Sequence, residues 1–133
     1  MMKILIAEDD KELRQLFSHV LISSGYHVTG VSNGQEALDA MENDYFDLII
    51  SDIMMPVLDG YALVRQLRGS GNPIPIMMIT ARDAFDDMRQ GFLSGSDDYM
   101  VKPINVNEMV LRVEALLRRA QLINARRLVM GST

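Results

Sequence analysis

The sequence predicts an α/β domain in which a parallel sheet of five strands is covered by helices on both faces. Three observations carry this prediction. Short apolar runs recur along the chain, at Ile4 to Ala7, Leu48 to Ile50 and Ile74 to Ile79. Continuous runs of that length suit strands buried on both faces. Between them lie stretches whose apolar residues follow the 3.6-residue helical period, and the two periods alternate, which implies right-handed βαβ crossovers. At 133 residues, 48% hydrophobic and 23% charged, the chain holds one domain's worth of core.

The first strand, Ile4 to Ala7, runs into Glu8-Asp9-Asp10. Leu13, Leu16, Phe17, Val20 and Leu21 then have the spacing of a helix with one buried face, closed by Gly25. Tyr26 to Val31 alternates apolar and polar, as a half-exposed edge strand does. Ser32 is placed to cap a second helix from about Asn33 to Met41. The third strand drives through Leu48-Ile49-Ile50 toward Asp52, and Pro56 stops it. A turn at Val57 to Gly60 leads to a third helix, Tyr61 to Leu67, and a loop, Gly69 to Pro73.

The fourth strand is Ile74 to Ile79, with Pro75 near its start, and it ends at Thr80. Asp83 caps a fourth helix to about Leu93, ended by Gly95, and Tyr99 to Val101 form a fifth strand stopped by Lys102-Pro103. Asn105 and Glu108 have capping-box spacing at the start of a fifth helix. Its buried stripe is Val106, Met109, Val110, Val113, Leu116 and Leu117. Because the second strand reads as an edge, the strand order is 2-1-3-4-5, the flavodoxin-like arrangement of a doubly wound sheet with five helices.

Chemistry collects just beyond four of the strands. The first supplies Glu8, Asp9 and Asp10, the third Asp52, the fourth Thr80 and the fifth Lys102. In order 2-1-3-4-5 these strands are neighbours, so the groups converge on one rim. Crowded carboxylates repel and raise one another's pKa unless a cation sits among them. Oxygen donors without Cys or His select a hard ion, Mg²⁺ before Zn²⁺. A carboxylate so placed can attack phosphorus, and phosphoryl transfer needs little beyond positioning and charge.

Composition narrows the function. A net charge of −5 argues against a nucleic-acid grip by this stretch itself. The absence of cysteine removes disulfides, thiolate metal sites and thiol nucleophiles. The apolar run at the N-terminus is too short for a signal peptide, and no run reaches membrane length. A cytoplasmic location is expected. His19 and His27 are isolated and read as structural or exposed.

Four segments, ILIAEDD, DLIISDIMMPVLDG, MMITARD and GSDDYMVKP, together resemble the response-regulator receiver domain with its CheY-like fold, the phospho-acceptor half of two-component signalling. The resemblance covers residues 2–121. It implies that Asp52 is the phosphoryl acceptor, with a sensor histidine kinase as donor. It also implies that Glu8, Asp9, Asp52 and the Met54 carbonyl hold Mg²⁺, that Thr80 and Lys102 contact the phosphoryl group, and that Thr80 and Tyr99 form a coupled switch. The Lys102–Pro103 peptide is expected to be cis. Asp10 reads instead as a first-turn helix acid. Met54 and Arg82 flank the route of attacking water, and an apolar Met54 cannot orient it, so the phosphoryl group is expected to be long-lived.

The pattern is most similar to the OmpR/PhoB-like DNA-binding class. That class implies a homodimer, when phosphorylated, through the fourth helix, fifth strand and fifth helix, and here Asp97, Asp98, Glu108, Leu111, Arg112, Arg118 and Arg119 are the candidates. Met88 and Arg89 depart from the basic-then-apolar pattern of the class, and Phe85 and Phe92 read as core. After Leu117 the chain turns basic and loses its stripe. Residues 122–133 resemble the linker toward a winged-helix domain that is absent from this chain and that would carry all DNA contact. The expected role is regulatory, without enzymatic activity beyond its own phosphoryl transfer and slow dephosphorylation. The rival reading is a receiver-like interaction module that is never phosphorylated. A phosphohydrolase would have an acid where Met54 stands, and a flavin carrier would have a phosphate-binding loop after the first strand.

Overall fold

The computed structural model describes residues 1–81 and 95–131, with side chains through Ile123. Five strands, β1 (Lys3–Ala7), β2 (His27–Val31), β3 (Leu48–Asp52), β4 (Ile76–Thr80) and β5 (Asp98–Val101), pair in the order β2-β1-β3-β4-β5. Every pairing is parallel. Four helices are described: α1 (Lys11–Ser23), α2 (Gly34–Asn43), α3 (Gly60–Gly69) and α4 (Val106–Gly131). The helix expected over 83–93 lies outside the described residues, as do Arg82, Phe85, Met88, Arg89 and Phe92. No helix among the described residues is long and apolar enough to cross a membrane.

Strand alternation divides the core in two. Ile4, Ile6, Leu48, Ile50, Met77 and Ile79 meet Phe17 and Leu21 of α1 and Met109, Val113, Leu116 and Leu117 of α4. Leu5, Ile49, Ile76 and Met78 point the other way, against Ala37 of α2 and Leu63, Val64 and Leu67 of α3. The edge strand β2 stays partly exposed, as its alternating sequence predicts. Gly25, at φ +100°, ends α1 in a Schellman motif, with Tyr26 N–H donating to Leu21 O at 3.1 Å and Gly25 N–H to Ile22 O at 3.0 Å.

Several local expectations are corrected. Leu16, predicted on the buried face of α1, is 45% exposed. The helix lies over the β1–β2 edge with α4 beside it, so its stripe is buried only where it meets them. The cap of α2 is Asn33, not Ser32. Asn33 Oδ1 accepts from Glu36 N–H at 2.8 Å, while the Ser32 hydroxyl donates to Glu36 Oε1 at 2.6 Å. Glu36 Oε1 also accepts from Ser32 N–H at 2.7 Å, so its carboxylate returns to the residue before the cap and Ser32 serves as the partner of Glu36. β4 begins at Ile76, after Pro75, which has no N–H for a ladder.

Asn105 caps α4, accepting from Glu108 N–H at 3.1 Å, but the Glu108 carboxylate pairs with Arg112 and does not return to the cap. Beyond Leu117, where the stripe was read as lost, α4 continues as helix to Gly131. The stretch from Arg118 to Met130 has neither Gly nor Pro and holds four Arg, two Ala and two Leu, so nothing in it stops a helix.

The loop after β3 is pinned from below. Gly60 N–H donates to Ile53 O at 2.8 Å, and Gly34 N–H to Leu58 O at 2.9 Å. A Cβ on Gly60 would stand 2.4 Å from Asp52 O. Within this loop Val57, 80% exposed, has φ +69°, a left-handed conformation that a β-branched residue strongly resists. Two substitutions in one loop therefore act in opposite directions. Gly60→Ala lowers unfolding stability by about 1–3 kcal/mol through overpacking. Val57→Gly raises it by about 1 kcal/mol by removing the left-handed penalty. Urea midpoints measure both, and an unchanged midpoint for either contradicts its argument.

Candidate functional site: a carboxylate cluster at the C-terminal rim

Register builds the site. Ala7 pairs with Ser51, so the next residues, Glu8 and Asp52, emerge side by side. Both continue the face of Ile6 and Ile50, toward α1 and α4. On β5, Thr80 pairs with Val101, and Lys102 follows on the face of Met100. Glu8 and Asp52 are buried, and the first turn beyond β1 leaves Asp9 exposed beside them.

The polar contacts are few and specific. Lys102 Nζ donates to Asp52 Oδ2 at 2.8 Å, and Met54 N–H reaches Asp52 Oδ1 at 3.3 Å. Glu8 Oε2 accepts from Asp10 N–H at 3.1 Å. Glu8 Oε1 faces Lys102 Nζ at 3.1 Å as an ion pair, but without hydrogen-bond alignment, and it is buried with no other partner among the described residues. Arg14 Nη1 donates to Glu8 O at 2.8 Å and steadies the turn. Asp10 is the N-cap of α1, its Oδ1 accepting from Leu13 N–H at 3.1 Å, in line with its reading as a helix acid.

Burial pushes the Glu8 carboxyl up to about 7, and Asp52 beside it adds to the rise, against the opposing pull of Asp10 N–H and Lys102. For Lys102, burial favours the neutral amine. Its bonds to Asp52 and Glu8 outweigh that, and its pKa is raised. One carboxylate oxygen each from Glu8, Asp9 and Asp52 lie within 4.8 Å of one another. Three carboxylates against one ammonium leave an excess of negative charge. The donors are all oxygen, and one buried oxygen lacks a hydrogen bond. A hard divalent cation fits that set.

Thr80 and Tyr99 stand apart from the charges. Thr80 is fully buried on the α3 side of the sheet, and its hydroxyl donates to Ala81 O at 3.2 Å, not to Asp52. Tyr99 pairs with Met78 in register and lies half-buried against the same α3-side core, diagonal to Thr80. The side chain of Met54 is 67% exposed. The Lys102–Pro103 peptide is cis, as expected.

The remaining candidates divide. Asp97 is held inside the chain, accepting from Ile76 N–H at 2.8 Å and Arg68 Nη2 at 3.0 Å. Asp98, Arg112 and Glu108 form one surface network, with Arg112 Nη1 at 2.8 Å from Asp98 Oδ1 and Arg112 Nη2 at 2.9 Å from Glu108 Oε1. Leu111, Arg118 and Arg119 are exposed, and so are His19 and His27. Sequence reasoning missed Arg14 and Arg68. Arg14 shares α1 with Lys11 and Arg68 shares α3 with Arg65, with no local signal to separate either from a solvated charge.

A doubly wound 2-1-3-4-5 sheet with an acid-lysine cluster at its C-terminal rim defines a narrow class of α/β domain. The chain belongs to the response regulator receiver domain family, whose model matches residues 4–114. It is 41% identical over 119 residues to response regulator MprA of Mycobacterium tuberculosis, covering 90% of this chain and 52% of that protein. With transcriptional regulatory protein PcoR of Escherichia coli it shares 40% identity over 121 residues, 91% of this chain and 54% of that one. The chain thus spans about half the length of the curated relatives it matches. Among solved structures, the receiver domain of Francisella response regulator 1452 superposes with a TM-score of 0.84 at 35% identity, covering 90% of this chain and 99% of that chain.

The raised Glu8 carboxyl sets a pH dependence. Its folded value of about 7 lies above the ordinary value of 4.5, so the native state holds this proton more tightly than the unfolded chain. The stability from this group is complete below 4.5 and is lost as pH rises through about 7. In cation-free buffer the urea midpoint of the wild type should fall across that window relative to Glu8→Gln. Parallel curves for the two proteins would contradict the assignment.

Proposed function

We propose that this chain is the phospho-accepting domain of a two-component response regulator, taking a phosphoryl group onto Asp52 from a sensor histidine kinase. The observation that carries the reading is a buried Asp52 at the end of β3, one oxygen bonded to Lys102 and the other to Met54 N–H, with Glu8 and Asp9 alongside. Glu8, Asp9, Asp52 and the Met54 carbonyl would hold Mg²⁺, which when bound would offset the charge of the transferring group.

Asp52 supplies the electron pair that bonds to phosphorus. The P–N bond of the donor phosphohistidine breaks, and the imidazole leaves with the bonding pair and takes up a proton. Lys102 follows the charge from the carboxylate to the new phosphoryl oxygens. The Thr80 hydroxyl turns from Ala81 O toward those oxygens, and Tyr99, diagonal to it, moves into the freed space. Phosphorylation shifts a balance between two existing conformations by binding one of them better.

The output reading rests on resemblance to the OmpR/PhoB-like class and on relatives such as PcoR, whose name is that of a transcriptional regulator. On it, phosphorylated copies pair through the face that includes β5 and α4. Asp98, Glu108 and Arg112 form a charged network there, beside exposed Leu111, Arg118 and Arg119. DNA is contacted only through a further C-terminal domain. Met54, apolar and exposed, orients no water, so the phosphoryl group persists.

Incubation with Mg²⁺ and a small-molecule phosphodonor should add one phosphoryl group by intact mass, and Asp52→Ala or a chelator should abolish the gain. No gain, under conditions that label a known receiver, moves the unphosphorylated interaction module to the front. After donor removal, Met54→Glu should lose the label several times faster than the wild type. Equal decay in the two proteins would remove Met54 from the account of lifetime.

A further inference from the structure

Of the clustered carboxylates Glu8, Asp9 and Asp52, only Asp9 is exposed, and nothing among the described residues bonds to its side chain. Its direction therefore depends on the backbone of the turn that joins β1 to α1. Glu8, the residue before it, is held at three points. Its N–H donates to Val31 O at 3.0 Å, its Oε2 accepts from Asp10 N–H at 3.1 Å, and its carbonyl accepts from Arg14 Nη1 at 2.8 Å. The first bond continues the strand pairing and the second is internal to the turn. The third comes from a side chain one helical turn away.

Gly30 leaves room for that third bond. It is the fourth of five residues in β2, in register with Ile6 and so on the face toward α1. Its φ is not positive, so the backbone itself does not call for glycine. Glycine weakens a strand interior and often marks a close approach. Here the approach is by Arg14, whose Cγ and Cδ would stand 3.1 and 3.2 Å from a Cβ on Gly30. The stem lies along bare backbone, and the half-buried side chain reaches the end of β1. Ser32 chiefly lowers the Glu36 carboxyl, and Arg14 adds to the lowering, which places its charge between β1 and α2.

We propose, on the reading of the cluster as a Mg²⁺ site, that Arg14 is a positioning residue for that site. Laid over Gly30, it fixes the Glu8 carbonyl and thereby aims Asp9 at a cation shared with Glu8 and Asp52. Charge alone argues the other way. A guanidinium repels a nearby divalent cation, so removal of Arg14 would tighten binding if charge were its only effect. Loss of positioning weakens binding instead. The sign of the change separates the two.

Calorimetric titration with Mg²⁺ alone, without phosphodonor, reads that sign. Arg14→Met keeps the stem and removes the donors, and it should weaken Mg²⁺ binding by about tenfold, as loss of a partner outside the ligand set does. Arg14→Lys keeps a donor and should recover most of the affinity. Gly30→Val, whose branched side chain occupies the path of the stem, should weaken binding as Arg14→Met does. The double variant should be no weaker than Arg14→Met alone, since both changes act through one bond. Urea midpoints without Mg²⁺ establish that each variant is folded in the titration. Asp9→Asn, in the same titration, tests the cation site itself. If Asp9→Asn weakens binding while Arg14→Met or Gly30→Val matches or exceeds the wild type, the positioning role is overturned and the cation site stands. Additive losses in the double variant overturn the role as well. A wild type that binds no Mg²⁺, or binding that Asp9→Asn leaves unchanged, overturns the site and the role together.

Discussion

Glu8 and Asp52 are buried side by side, and one ammonium answers both. Like charges in a desolvated site repel, and burial beside Asp52 pushes the Glu8 carboxyl up even with Lys102 present. The compensation comes from two strands away. β4 lies between β3 and β5, so Lys102 must cross about 10 Å of sheet, two strand spacings, to reach Asp52. Only a long cation does this. The crossing also needs a clear path over the end of β4, and alternation supplies it by turning Thr80 to the other face. The site thus depends on three parallel registers being right at once, because a slip of one residue would turn Glu8, Asp52 or Lys102 away from the others.

The loop that leaves Asp52 is constrained in a different way. Gly60 approaches the Asp52 carbonyl more closely than any side chain would allow, and Gly34 does the same for Leu58. These two contacts tie the β3–α3 loop to the starts of α3 and α2. They hold it tightly enough to keep Val57 at positive φ. A strained residue persists only where its surroundings over-determine it. Here the strain lies five residues from Asp52, in the segment that presents Met54 N–H to its carboxylate.

The parts of this design that depend on period were legible in the sequence. Apolar runs gave the strands, the residues just past them gave Glu8, Asp9, Asp10, Asp52, Thr80 and Lys102, and the resemblance to receiver domains singled out Glu8 and Asp9 among the first three. The alternation of β2 gave the strand order. The parts that depend on contacts between distant residues were not. Leu16 has the spacing of a core residue, and only the position of α1 at the sheet's edge leaves it wet. Ser32 and Asn33 are both good caps, and the choice between them rests on where Glu36 falls relative to each. Asp97 looks like any surface acid until β4 and Arg68 are brought to it. The length of α4 was misread for another reason: the loss of a buried stripe was taken as loss of helix, although a helix with no Gly or Pro continues on propensity.

One short strand connects the rim to the surface. β5 places Asp98, Met100 and Lys102 on the α4 side and Tyr99 and Val101 on the other. Lys102 is bonded to Asp52, and Asp98 is bonded to Arg112 of α4. Any added charge at Asp52 acts on Lys102 first, and Lys102 is four residues from the ion pair that anchors α4. On the opposite face, Tyr99 stands diagonal to Thr80 in register. The rim thus adjoins β5 on both faces, through the bond of Lys102 to Asp52 and through the diagonal place of Tyr99 beside Thr80. Coupling of this kind requires a connecting element with two discrete arrangements, not merely a chain of neighbours. β5 itself is short, lies at the edge of the sheet, and has its two faces engaged by different neighbours.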